Sequence, residues 1–471
     1  MKNLETKLIK SVRIITNKDD YIADILIEKE KILSIDKNIE INDEIEIINA
    51  EGLLAFPGAI DCHTHLENKF GNSITCDTFD TGTKAAAFGG TTTIIDFSFK
   101  KNDMNAEQAI ENSINIANKK AAIDYSFHLV LTKYDKNTSH EIKQSINELG
   151  ISSFKMFMAS PAIMADDLSI YNTLKDTGPR GGLVCIHAEN GPIIDKIVQE
   201  LILQGKTQPK YHAVARSSLM EGEATNRVIK ISELVDSSLN IFHVSCYEAL
   251  QSIIKARENN SKVTAETCPH YLYLDDSVYE SEDFDVAKYV CSPPIRSKKD
   301  QIHLWNALKD NILQIVSTDH CPFMMKEGNL EKFNQKPLGK NDFSKIPNGV
   351  PGIESRLLLM YEAVNNNKIS LNKFVDLIST TPAKIYGMYP QKGSIEVGSD
   401  ADIVLFDPNQ KFKISSKTHH SNIDYSLYED FEINGKIKSV FLRGNLIVNN
   451  DEWVSDNLKG KFIKRGQTTN L

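Results

Sequence analysis

The chain is 471 residues long, 41% hydrophobic and 25% charged, with a formal net charge of −9. That length accommodates one large domain and a smaller one, and the composition is that of a globular protein rather than a disordered or fibrous one. The acidic balance argues against nucleic acid or an anionic membrane surface as partner, and no apolar run approaches the roughly 18–20 residues of a spanning helix.

The N-terminal stretch MKNLETKLIK spreads its charges throughout and lacks the apolar core of a signal peptide. Seven cysteines are scattered, odd in number and without a CxxC pair. The expectation is reduced core thiols in a cytoplasmic protein.

Residues 1–56 alternate apolar and polar positions in short segments at 10–15, 21–28, 31–35 and 44–48, the period-two pattern of antiparallel sheet. The same texture returns after residue 388, at 393–395, 401–406, 437–443 and 445–448. Two sheet-like ends around a different middle predict one small β-sandwich domain assembled from 1–56 and 389–471. Between them, residues 57–388 alternate strand and helix signals. Gly89-Gly90 precedes the β-branched run 91–95, a helical stretch at 106–121 leads to a strand at 125–131, and a helix at 223–235 leads to a strand at 239–244. About eight such units match an α/β fold of the (β/α)8 TIM-like barrel type. No GxGxxG follows a first strand, so a dinucleotide fold has little support.

The residues that carry chemistry sit at the ends of those strand signals. In Asp61-Cys62-His63-Thr64-His65 an extended chain points His63 and His65 to one side, as a metal site requires. Apolar runs also deliver His187, His243 and Asp319. The C-terminal ends of barrel strands form one face, so five potential ligands there converge; singly, each reads as a packed histidine or a capping aspartate. Lys155 lies inside the apolar run SSFKMFMAS. Burial and neighbouring cations lower a lysine's pKa, and a neutral amine reacts with carbon dioxide to give a carbamate whose two oxygens can bridge two metals. A snorkelling or acid-paired lysine is the plainer alternative.

Taken in order, PGAIDCHTHLE, AAAFGGTTTIIDF, SSFKMFMA, HAENG, EGEATNR, HVSCYEAL, ETCPHYLYL, CSPPIR, STDHCPF, IPNGVPGIE and KGSIEVGSDADIVLFDP resemble the dihydropyrimidinase/D-hydantoinase branch of the cyclic amidohydrolases over almost the whole chain. The resemblance implies two Zn2+ ions per subunit. His63, His65, Asp319 and N6-carboxylated Lys155 would hold one, and Lys155, His187 and His243 the other. It implies Asp319 as catalytic proton carrier, main-chain contacts to a cyclic amide substrate at Ser292 and Asn348, and a homotetramer assisted by residues 445–465. One position departs: the family commonly has a tyrosine five residues after the metal lysine, where this chain has Ser160. That raises two expectations, a different or bulkier cyclic ureide or purine-derived ring (allantoin included), or a shifted Tyr171 or a water supplying the missing hydroxyl. Leu66-Glu67 after the HxH speaks against dihydroorotase, which usually carries an arginine there, and the complete ligand set speaks against a non-catalytic relative. The charged segment 324–336 reads as a surface loop or lid element. His128, His270 and His320 are expected to pack or to support the ligands, and His419-His420 to lie at the surface.

Overall fold

The structure, a computed structural model, describes residues 6–41, 45–71, 73–101, 104–327, 335–455 and 459–469. Its centre is a ring of eight parallel strands: β1 (Ala59–Asp61), β2 (Thr91–Phe99), β3 (Asp124–Val130), β4 (Ser153–Phe157), β5 (Leu183–His187), β6 (Leu239–Ile241), β7 (Val263–Thr267) and β8 (Ile315–Val316). Each pairs with the next in sequence. The strands are buried on both faces, which is why they read as continuous apolar runs rather than alternating ones.

The seam between β8 and β1 lacks a strand ladder and is closed by side chains and strand ends. The guanidinium of fully buried Arg356 donates to the carbonyls of Ile60 and Val316 at 2.8 and 2.9 Å and to the Thr91 hydroxyl at 3.1 Å. Beyond the strand ends, Thr64 bridges His320, and His65 N–H donates to the His320 carbonyl at 2.8 Å. The ring is therefore nearly closed where the ligand-bearing segments emerge.

Both termini meet in one nine-stranded sheet. Leu54–Pro57 pairs with Thr6–Ile15 on one side and with Ile403–Lys413 on the other. The sheet continues outward through Asp20–Glu28 and Lys31–Asp36 at one edge, and through Glu432–Leu442, Asn445–Asn449 and Glu452–Trp453 at the other. The alternating pattern in the sequence is this sheet's two faces.

Three expectations change. Residues 393–395 form no strand: Gly393 takes φ +78, and a Cβ there would stand 2.5 Å from Ala383 Cβ, so the segment turns against the preceding helix. The helix expected at 106–121 ends at Ala117, and the one expected at 223–235 begins at Ser218 because Ser217 caps it by accepting from Leu219 N. Among the described residues, no helix is long and apolar enough to cross a membrane.

Candidate active site

A cavity of about 560 Å3 opens at the C-terminal ends of the barrel strands. Nine of the residues singled out from the sequence line it: His63, His65, Lys155, Ser160, His187, His243, Ser292, Asp319 and Asn348.

They fall into two clusters and a wall. In the first cluster, Asp319 Oδ1 lies 3.2 Å from His63 Nε2 and 3.1 Å from His65 Nε2, and one ligand atom from each of the three fits within 4.8 Å of the others. In the second, His187 Nδ1 and His243 Nε2 are 3.0 Å apart. The clusters touch, since the His63 and His243 ring centroids are 5.3 Å apart. Asp319 and His243 both adopt positive φ, +49 and +40, a costly conformation for residues with a Cβ. The backbone holds them so because the chain must turn off its strand there.

Partners behind the imidazoles set their tautomers. His63 Nδ1 lies 2.7 Å from Glu266 Oε1, and the tautomer that donates there turns the Nε2 lone pair toward Asp319. His187 Nε2 lies 2.8 Å from Glu189 Oε2, which turns Nδ1 toward His243. Burial alone would raise the Glu189 carboxyl, but the charge of Arg216 and the His187 hydrogen bond hold it at about 2. Burial pushes the Glu266 carboxyl well above its ordinary value and holds His63 and His243 well below theirs, so the two imidazoles are neutral, as metal ligands must be.

Lys155 stands on β4, completely buried, and lines the same cavity as both clusters. Among the described residues its Nζ has no hydrogen-bond partner; its neighbours are the rings of Phe242, Phe157 and Phe97, at 4.1, 4.6 and 5.6 Å. Neither snorkelling nor pairing with an acid describes it. Burial pulls its pKa to about 7, so a large share of the amine is neutral at physiological pH. A buried, partly deprotonated amine that lines the same cavity as both imidazole clusters fits a carbamate that would add negative charge to the site. The donor set of four imidazoles and one carboxylate, beside a lysine able to take up carbon dioxide, fits a metal-dependent enzyme.

Ser160 ends the β4 run. It takes φ +74, and its carbonyl accepts from Ile163 N and Met164 N at 3.0 and 2.9 Å, so the chain reverses immediately after the strand. Tyr171 lies on the following helix Asp167–Thr177 and does not line the cavity, and among the described residues no tyrosine does. The shifted-tyrosine expectation is thereby corrected.

On the opposite wall, Asn348 Nδ2 donates to Ser292 Oγ at 3.0 Å, joining the CSPPIR and IPNGVPG segments. Gly349 follows with φ +148, and a Cβ there would stand 2.3 Å from the Cys321 carbonyl.

The other histidines behave as support. His128 bonds Ser153 Oγ and the Cys62 carbonyl at 2.6 and 2.9 Å; His320 Nε2 bonds Asp77 at 3.0 Å. His270 is buried within the fold. His420 reaches Glu354 at 2.7 Å and stacks on Phe88.

The charged reading of 324–336 needs correcting at its flanks: Met324, Gln335 and Lys336 are buried, while 328–334 fall outside the described residues. Missed in the sequence were Glu266, the Glu189–Arg216 pair and Lys336. A carboxylate inside a barrel-strand run, as in Val263–Thr267, carries the same signal as Lys155.

A strand-end cluster of four imidazoles, a carboxylate and a buried lysine fits the class of metal-dependent barrel hydrolases. The amidohydrolase family profile matches residues 54–447. A D-hydantoinase of Geobacillus stearothermophilus is 45% identical over 98% of this chain and 97% of its own length, and a dihydropyrimidinase of Arabidopsis thaliana is 37% identical over 97% and 85%. The crystal structure of dihydropyrimidinase from Brevibacillus agri NCHU1002 superimposes with a TM-score of 0.95 at 45% identity, covering 98% of this chain and 99% of that one. The chain belongs to the amidohydrolase family, in its D-hydantoinase/dihydropyrimidinase branch, and is a hydrolase acting on cyclic amides.

Proposed function

We propose that the protein is a binuclear zinc enzyme that opens the ring amide of hydantoin- or dihydropyrimidine-type cyclic imides to N-carbamoyl amino acids. The observation that carries the two-metal reading is Lys155 Nζ, buried, without a hydrogen-bond partner among the described residues, and lining the same cavity as both imidazole clusters. His63, His65 and Asp319 would hold one ion, His187 and His243 the other, and carboxylated Lys155 both. When bound, the ions supply Lewis acidity and lower the pKa of water in the site.

The chain's own groups do the rest. Asp319, the carboxylate within reach of both His63 and His65, takes the proton of the attacking water and returns it to the ring nitrogen as the C–N bond breaks. The wall at Ser292 and Asn348 presents main-chain donors and acceptors to the –CO–NH–CO– edge, and the buried setting strengthens each of those hydrogen bonds. The names of the relatives favour these rings over allantoin or a purine-derived ring.

The protein is further proposed to work as a cytoplasmic homotetramer. All seven cysteines are buried and free, which suits a reducing compartment.

The test is metal analysis and intact mass of the purified protein. Two zinc per chain and an added mass of one carbon dioxide, both lost in Lys155→Ala, are expected, together with N-carbamoyl product from hydantoin. Less than one zinc per chain, with no ring opening after zinc and bicarbonate are supplied, overturns the reading.

A further inference from the structure

The wall that faces the imidazoles is assembled from segments that no strand ladder joins: the hairpin of Lys69–Phe70 and Ser73–Ile74, residues 290–292, and residues 346–349. Two adjacent buried residues reach across them. Gln335 accepts from Met324 N through Oε1 and donates to the Ile74 carbonyl through Nε2 at 2.7 Å. Lys336 donates from Nζ to the Val290 carbonyl at 2.8 Å, and that same carbonyl accepts from Gly349 N at 3.0 Å. Lys336 N also donates to the Met324 carbonyl at 3.2 Å.

Lys336 is completely buried, and among the described residues no carboxylate pairs with it. Its pKa is drawn down to about 7 by burial. Burying an amine to satisfy one carbonyl is a poor way to gain stability, because an apolar side chain of similar volume would avoid the desolvation cost. What the contact does achieve is geometric. Val290 lies two residues before Ser292, and Gly349 one residue after Asn348. The carbonyl held by Lys336 is therefore the joint between the two backbone stretches proposed to receive the imide. His212 Nε2 donates to the next carbonyl, that of Cys291, at 2.8 Å, so two successive peptide groups are fixed by buried side chains. The hairpin held by Gln335 lines the cavity's outer part, where Lys69 and Gly71 are exposed, so it meets whatever the ring carries away from the metals.

We propose that Lys336 and Gln335 are positioning residues with separate tasks: Lys336 sets the spacing of the Ser292 and Asn348 wall that receives the ring, and Gln335 sets the distance of the strand Ser73–Ile74 from a ring substituent and not from the ring itself. The Lys336 half rests on the assignment of that wall to the imide.

Four proteins separate the possibilities: wild type, Lys336→Met, Gln335→Leu and Asn348→Ala, each assayed on hydantoin and on a 5-substituted hydantoin, with zinc content and Tm. Lys336→Met is expected to raise KM for both rings, lowering kcat/KM by about ten- to a hundredfold as misplacement does, with kcat, zinc content and Tm close to wild type. Gln335→Leu is expected to leave unsubstituted hydantoin unaffected and change the ratio of kcat/KM between the two rings severalfold. If Asn348→Ala raises KM and Lys336→Met does not, the positioning role of Lys336 is refuted while the wall stands. If neither raises KM, side-chain ties do not set the spacing of the wall and the positioning role of Lys336 is refuted, whereas absence of ring opening in the wild type would instead overturn the functional reading. Loss of kcat, zinc and Tm together in Lys336→Met would mark a structural role only and also refutes the proposal. Should Lys336→Met fail to fold, Gln335→Leu decides, and an unchanged ratio between the rings overturns its half.

Discussion

At the scale of single residues, the run SSFKMFMAS holds both the most and the least determined positions of the site. Lys155 tolerates complete burial because the barrel surrounds its amine with aromatic rings rather than with an acid, and a neutral amine costs far less to bury than an ammonium. Replacing it with methionine should keep the fold, since the volume is conserved and no hydrogen bond is lost, yet remove bound zinc and activity together. Ser160 poses the opposite case. Its left-handed backbone is set by the turn through 163 and 164, and its short side chain leaves the cavity without a phenol. If a donor to the developing oxyanion is missing, Ser160→Tyr should raise kcat on hydantoin or 5,6-dihydrouracil by up to about a hundredfold, the order of one oxyanion donor. Steady-state kinetics on both rings checks this, and an unchanged or lower kcat shows that the site already supplies the donor.

At the scale of elements, buried charges fasten the terminal segments to the barrel. Lys392 is enclosed by Asp124 at the start of β3 and by Asp400 and Asp402 before Ile403–Lys413, at 2.5, 3.0 and 2.7 Å. Burial alone would lower its pKa, yet the three carboxylates raise it above the ordinary value. Lys392→Met leaves Asp402 without an ion-pair partner among the described residues, while Asp124 keeps Arg443 and Asp400 keeps Lys31, and it should cost about 3 kcal/mol by denaturant titration. Residual kcat of the folded fraction should stay unchanged, because the cluster lies at the barrel end opposite the site. On the catalytic side, Asp77 accepts from His320 Nε2 at 3.0 Å, from Asn422 N at 2.8 Å and from the Ser421 hydroxyl, tying the C-terminal segment to the barrel mouth. Burial would raise the Asp77 carboxyl, but the His320 hydrogen bond brings it below its ordinary value. A carboxyl depressed by folding stabilises above its unfolded pKa of about 4 and loses that contribution as pH falls further. Asp77→Asn should thus lower Tm at neutral pH and flatten its fall below about pH 4, measured by calorimetry across pH 3–7. These ties also mark where the sequence stops being legible. The ligands could be read because barrel strands are local and their C-terminal ends share a face. The partners of those ligands could not, since Glu266 reaches His63 across 203 positions and Arg216 reaches Glu189 from a different segment. Lys336 was hidden for another reason: a lysine in a charged run reads as surface, and only the folded wall shows it turned inward.

At the scale of the whole molecule, the chain leaves apolar side chains on one flank of the barrel that its own fold does not use. Leu168, Leu219 and Ile193 stand 67%, 61% and 48% exposed at the first turns of the helices Asp167–Thr177, Ser218–Leu234 and Gly191–Leu203. These helices are neighbours: Arg227 reaches Asp167 at 2.6 Å, and Asn190, which caps Gly191–Leu203, donates to the Met220 carbonyl at 3.1 Å. Isolated exposed leucines are ordinary, but three on adjacent helix ends make a patch that a soluble monomer has no reason to keep. The helices also present their first turns next to the loops that shape the cavity, so a partner seated there would brace Ser160 and Asn190 from outside. If this flank is where the proposed tetramer assembles, light scattering of the purified protein should give four chains, and Leu168→Asp with Leu219→Asp should yield smaller species, because a symmetric contact places each new carboxylate in a desolvated interface. Zinc content should be retained, since every proposed ligand comes from one chain. A monomeric mass for the wild-type protein would refute the assembly, and a tetramer that survives both substitutions would move the contact to another face.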